Sequence, residues 1–336
     1  MRRYVGAVVV AFVVAFVVLA GCSGTKPVSA PALPQAAEPA VAPPVTTPPA
    51  GRVIAVGAQP EGVVADPVTH LVAVGVRQPN TLVLLDDRTG RVVHRVALPG
   101  HLRHLQLAAP GGPVLVPDEN ANALLTVGLP AGDVLSQVHT GVSPHDATEA
   151  GNGSMFAANE GGASVVVIRG NSVVHTFTDV VQPAGLAAVG TQVGLVDVRQ
   201  NELHVYDANT FASIARLPAG AGPTHVVADR RGHLAVIDTR GNAVLLYQLT
   251  PTPHQIARLS LPGTPYGVTY DRTRDRLWVT LTALNQLVGI DVGGPSPFVM
   301  TRIPTVRQPD TVAVDSTTGR IFVTGTDDGV LQLIDQ

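Results

Sequence analysis

"PEGVVADPVTHLVAVGVRQPNTLVLLDDRTGRVVHRVALPG", residues 60–100, decides the fold. Four short apolar runs, Gly62–Asp66, Leu71–Val76, Thr81–Asp86 and Val92–Leu98, are separated by "DPVTH", "RQPN" and "DRTG". Runs of this length, rich in Val and Leu and bounded by Gly, Pro, Asn and Asp, read as strands joined by tight turns. The pattern then returns. Later copies begin at Leu102, Pro144, Pro183, Pro223, Pro265 and Pro309, at spacings of 42, 42, 39, 40, 42 and 44 residues. A fixed period near 40 with four strands per unit marks a repeat architecture, and a two-sheet sandwich does not account for it.

Second and third strands recur as "LVAVGVRQPNTLVLLD", "MFAANEGGASVVVI", "HLAVIDTRGNAVLLY" and "IFVTGTDDGVLQLID". These segments resemble the YVTN-type β-propeller repeat, a strand, a polar loop and a strand ending near Asp. The resemblance spans residues 52–336 and implies an all-β, seven-bladed β-propeller with four antiparallel strands per blade. The last copy ends at Gln336 after three strands, while "RVIAVGAQPEG" (Arg52–Gly62) aligns with the fourth strands "ARLPAGAGPTH" and "ARLSLPGTPYG". The N-terminal strand is therefore expected to close the last blade, leaving only short, protected sheet edges. With 4% aromatic residues and one tryptophan, Trp278, the blades must pack through Val, Leu, Ile and Ala. The docking tryptophans of quinoprotein propellers are absent.

Ahead of the repeats, Arg2 and Arg3 precede a charge-free stretch, Tyr4–Ala20, that runs into "LAGC" at Leu19–Cys22. That is the order of a secretory signal: basic start, apolar centre, small-residue end. A plain signal peptide and a single membrane span, which needs ~20 residues, are the alternatives. "LAGC" resembles the bacterial lipobox. The resemblance implies a lipoprotein signal peptide over residues 1–21, lipidation of Cys22 and a lipid-anchored place on the extracytoplasmic face of the cell membrane. Cys22 is the only cysteine, so the rest of the chain forms no disulfide and offers no thiolate nucleophile. Residues 22–51 are dominated by Pro and Ala, with Lys26 and Glu38 the only charges, and read as an extended tether of ~3.1 Å per residue with no other role. The propeller is expected over residues 52–336.

Lys+Arg 22 against Asp+Glu 25 argues against nucleic acid, which requires a basic footprint. In a propeller the loop leading into each innermost strand and the loop between second and third strands open on one face. The first position carries Glu61, Arg103 with His104, His145 with Asp146, Ala184, Thr224 with His225, Tyr266 and Asp310. The second carries Arg77, Asp118 with Glu119, Asn159 with Glu160, Arg199, Arg240, Asn285 and Asp327. A position that changes chemistry from copy to copy points to a ligand funnel, with Glu61, Arg103, His104, His145, Asp146, His225, Tyr266 and Asp310 as its candidate lining. Because these residues come from different blades, no more than two or three are expected to touch. A metal held by Glu61, His104, His145, Asp146, His225 and Asp310 suits the donor chemistry. No close-spaced ligand motif supports it, so no metal and no cofactor is assigned. No Gly-x-Ser-x-Gly elbow occurs, and "GGASVVV" leads into a strand rather than a phosphate-cradling helix.

The sequence therefore points to a non-catalytic, lipid-anchored propeller of the cell envelope. A monomer is expected, binding a small molecule, a cell-wall component or a partner protein. The rival is a lactonase-like hydrolase with a funnel metal or a His/acid site, and a pure scaffold is the third reading.

Overall fold

A computed structural model of the chain describes Met1 and residues 32–336. The "LAGC" segment and Cys22 lie outside the described residues. Among the described residues no helix is long and apolar enough to cross a membrane.

Seven four-stranded antiparallel sheets follow one another along the chain. Blade 1 comprises Ala58–Asp66, Leu71–Gln78, Asn80–Asp86 and Val92–Ala97. The innermost strands of blades 2 to 7 are Gln106–Leu107, Pro144–Glu149, Pro183–Val189, Pro223–Ala228, Pro265–Asp271 and Pro309–Val314. In blade 7 the fourth strand is Arg52–Ala55, paired with Val330–Ile334 in the register Arg52↔Leu333 to Ala55↔Val330. The N-terminal strand thus closes the ring, as the truncated last repeat predicts.

Middle strands are buried on both faces, as in Val114–Asp118 and Ala123–Val127, whereas outermost strands such as Val134–His139 are largely exposed. Their continuous apolar runs are what a sheet sandwiched between two neighbours requires. The core is accordingly divided into clusters at the junctions between blades: Val74, Leu85, Phe322 and Leu333 join blades 7 and 1, and Leu84, Leu102 and Val116 join blades 1 and 2. Trp278 is fully buried between blades 6 and 7 with Leu287 and Val323.

Two features of the innermost strands set up the axis. Each of the prolines that begin blades 1 and 3 to 7 is followed by a register shift: Pro60/Val63, Pro144/Asp146, Pro183/Leu186, Pro223/His225, Pro265/Val268 and Pro309/Val312. Proline has no N–H for the ladder, and the bulge beside it re-aims the residues that follow. Glu61, His145, Thr224, Tyr266 and Asp310 sit in these bulges. In blade 2, where Leu102 replaces the proline, the inner strand is only Gln106–Leu107, much shorter than its repeat mates.

Residues 33–51 do not stand off the ring as a tether would. They are laid across the face that carries the bulges, with Ala37 and Ala42 buried. Arg240 donates to Gln35 O (2.7 Å), Asn285 Nδ2 to Pro43 O (2.8 Å) and Gln308 Nε2 to Ala40 O (3.0 Å). Arg199 donates to the carbonyls of Leu33 and Pro34. In return, Ala40 N donates to Thr282 Oγ1 (2.9 Å) and Ala42 N to Gln308 Oε1 (2.8 Å). An extended proline-rich chain pairs none of its own carbonyls, so it offers a row of acceptors. Arg199, Arg240 and Asn285, three of the variable second-loop positions, are among the donors that meet them.

Candidate functional site

Where the bulges converge, four rings from four blades form a row across the axis. His104 lies with its ring centroid 4.6 Å from that of His145 and 4.7 Å from that of His225, and His225 lies 4.5 Å from Tyr266. This exceeds the expected limit of two or three neighbours: His104 reaches across the axis to His225 of the non-adjacent blade 5, joining the blade 2–3 pair to the blade 5–6 pair. Blade 2 contributes His104 from the stretch left unpaired by its short inner strand.

On one side of the row a cavity of about 190 Å³ is lined by Glu61, Arg77, Arg103, Tyr266, Asp310 and, from the overlying N-terminal segment, Glu38 and Pro39. On the other, a channel of about 380 Å³ runs along the innermost strands past Gln106, Asp146, His225 and Thr311. His104 borders both.

Burial governs the electrostatics of the row. It pushes His225 down to about 3, with the charge on His145 adding to the effect, and it drives His104 well below the usual imidazole range. Both are neutral at physiological pH, and neither ring nitrogen of His225 has a hydrogen-bond partner. Burial likewise raises the Tyr266 phenol, with Asp310 contributing. Asp310 itself is pushed up to about 6 by burial, against a hydrogen bond from Gln308 (2.8 Å).

The charged rim is paired off internally. Arg77 meets Glu61 at 2.7 Å, Arg103 meets Glu119 at 2.9 Å, and His101 Nε2 reaches the other Glu119 oxygen at 2.7 Å. His145 Nδ1 lies 3.0 Å from Glu160, which also accepts from Gln182 (2.7 Å). Burial opposes ionisation of Glu160, yet the His145 hydrogen bond and charge hold it down at about 2.

Asp146 faces the channel but is fully engaged. Its carboxylate accepts from Gln106 Nε2 (3.0 Å to each oxygen), Ala147 N (2.8 Å) and Leu186 N (2.8 Å), stapling blades 2, 3 and 4 together. Burial raises it to about 6 even so. Of the second-loop acids, Asp118 is a turn staple rather than a funnel group: it binds Gly100 N (2.7 Å) and Ala121 N (2.9 Å). Asp238 does the same for Gly222 N (2.9 Å) and Gly241 N (3.0 Å) in blade 5.

Among the described residues, one set of donors that could hold a metal lies at this face: Glu119, His145 and Glu160, with ligand atoms within 4.8 Å of one another. Only His145 belongs to the donor set drawn from the sequence. His101, Gln106 and Gln182 had no signal beyond being polar near a loop, and Glu38 was hidden in a segment whose composition suggests no contact at all.

No protein-family model and no curated protein matches the chain. Solved structures do. A chain of hydrazine synthase from Kuenenia stuttgartiensis superposes with TM-score 0.72 at 14% identity, covering 83% of this chain and 96% of that one. A chain of a mitotic checkpoint complex gives 0.74 at 13% identity over 93% and 99%. Virginiamycin B lyase from Staphylococcus aureus gives 0.67 at 13% identity over 84% and 99%. At these identities the likeness is one of fold alone: the chain is a seven-bladed β-propeller with a polar centre.

Proposed function

We propose that the protein is a lipid-anchored, extracytoplasmic propeller of the cell envelope that binds a small polar molecule at its axis without transforming it. The observation that carries the reading is His225. It is 9% exposed, neutral and without a partner on either ring nitrogen, in a row of rings between two cavities. A neutral imidazole offers one donor and one acceptor. Leaving such a buried group unpaired costs ~1–3 kcal/mol, which a bound polar molecule restores. Of the charged groups around it, Glu61, Arg103, His145 and Glu160 are held in ion pairs with one another or with Arg77 and Glu119. The anchor rests on "LAGC" and Cys22.

Native mass spectrometry of detergent-extracted full-length protein tests the binding. A bound small molecule is expected in the wild type and lost in His225→Phe, which keeps the ring volume and removes both nitrogens. Cys22→Ala is expected to move the protein to soluble fractions or leave it unprocessed; unchanged membrane retention with an uncleaved N-terminus refutes the anchor. One observation favours the rival hydrolase, the Glu119–His145–Glu160 donor set. Lactone turnover that is abolished by chelation and by Glu160→Gln establishes that reading in place of the first.

A further inference from the structure

On the opposite face of the ring, at the junction of blades 7 and 1, the third and fourth strands of blade 1 are linked by a turn that begins at Asp86 and Asp87. Asp87 is out of character with the repeat. Its N–H donates to His70 O (3.0 Å), the same bond that Ala208 makes to Thr191 O in blade 4 and Val292 to Asp275 O in blade 6. Those equivalents, together with Leu249 of blade 5, are apolar and at most 2% exposed. Asp87 places a carboxylate in that buried slot at 4% exposure, beside the fully buried Asp315 of blade 7.

Asp315 is held in place by its own turn, accepting from Thr317 N (2.8 Å) and Thr318 Oγ1 (2.8 Å). Asp87 is not held in the same way. Its Oδ2 has no hydrogen-bond partner and points towards His70 Nδ1, 3.5 Å away, while Arg320 stands 4.0 Å from Oδ1. His70 is mostly exposed at the mouth of this pair. Its Nδ1 and one oxygen of each carboxylate all lie within 4.8 Å of one another.

Two buried carboxylates facing each other repel unless a proton or a cation lies between them. We propose that His70, Asp87 and Asp315 form a divalent-cation site that clasps blade 7 to blade 1. One imidazole with two carboxylate oxygens suits zinc or manganese rather than a purely oxygen-ligated ion. The location gives the clasp a purpose, because this is the junction that the closing strand completes. The site is independent of the axial cavity, and neither reading depends on the other.

Untagged protein, stripped with a chelator, is titrated with Zn²⁺ and separately with Mn²⁺, reading bound metal per chain after dialysis and the unfolding temperature. One bound ion per chain and a raised unfolding temperature are expected for the wild type and for Glu160→Gln, which removes a donor at the other face. Both effects are expected to vanish in Asp87→Leu, which restores the residue type of the repeat and folds without metal, and in His70→Ala, which alters only an exposed side chain. The proposal is overturned if the wild type binds neither ion, or if binding survives both of these substitutions.

Discussion

His225 offers a sharp test of the axial row, through pH. Its folded pKa is about 3 against an ordinary 6.5, because burial excludes the charged form. Above about pH 6.5 the ring is neutral in folded and unfolded chains alike, and it contributes no pH dependence. As pH falls below that, the unfolded chain takes up a proton that the folded chain refuses. Stability is then lost at ~1.4 kcal/mol per pH unit until the folded group titrates near pH 3. At pH 5 the deficit is about 2 kcal/mol. For a ring of this size, with an unfolding entropy of ~2.1 cal/mol/K per residue, that is about 3 °C in unfolding temperature. Asp146 and Asp310, raised to about 6, act in the opposite sense: protonation as pH falls relieves their burial. Both are retained in His225→Phe, so a comparison of wild type and variant cancels them. Scanning calorimetry of both proteins from about pH 8 to about pH 5 should show the wild type losing about 3 °C more than the variant. Equal pH slopes would refute the claim that the axis holds a buried, neutral, unpartnered imidazole.

Other substitutions probe the scaffold. Gly220 has φ +94°, and a Cβ there would overlap the Asp238 carboxylate; Gly220→Ala is expected to destabilise by ~1–3 kcal/mol in denaturant titration, and an unchanged midpoint contradicts the staple. Deleting residues 52–58 bares the edge of Val330–Ile334, and lost cooperativity in calorimetry with aggregation in light scattering should follow. Deleting residues 33–48 should lower the unfolding temperature and speed modification of His104 by diethylpyrocarbonate. If neither changes, the segment does not cover the axis in solution.

How much of this was legible in the sequence depends on how local the cause is. The period, the strands and the closing strand follow from runs of Val and Leu and from where Pro, Gly and Asp fall. The exception is the inner strand of blade 2, where the copy beginning at Leu102 lacks the usual proline and most of its ladder. At the axis the residue types were readable one position at a time, but their contacts were not. The bulge after each proline decides which side chains turn inward, and it is a property of strand pairing. Asp146 looked like a funnel acid because a carboxylate that ties three blades together is spelled like one that binds a ligand. The overlying segment was the least legible, since it docks through its own backbone carbonyls, which no residue pattern records.

That segment also fixes how the ring meets force. Its attachments advance round the ring, from Arg199 in blade 4 (at Leu33 and Pro34) and Arg240 in blade 5 (at Gln35) to a cluster at Ala40, Ala42 and Pro43 that grips Thr282 and Asn285 of blade 6 together with Gln308 of blade 7, and only then to the closing strand. Tension applied from the N-terminal side is met first by the bonds to Arg199 and Arg240 and then by the cluster at Ala40, Ala42 and Pro43, each group yielding before the next is loaded. The segment acts as a row of fuses: it lengthens and dissipates a pull in stages, and the strand pairing that keeps the ring shut is the last to feel it.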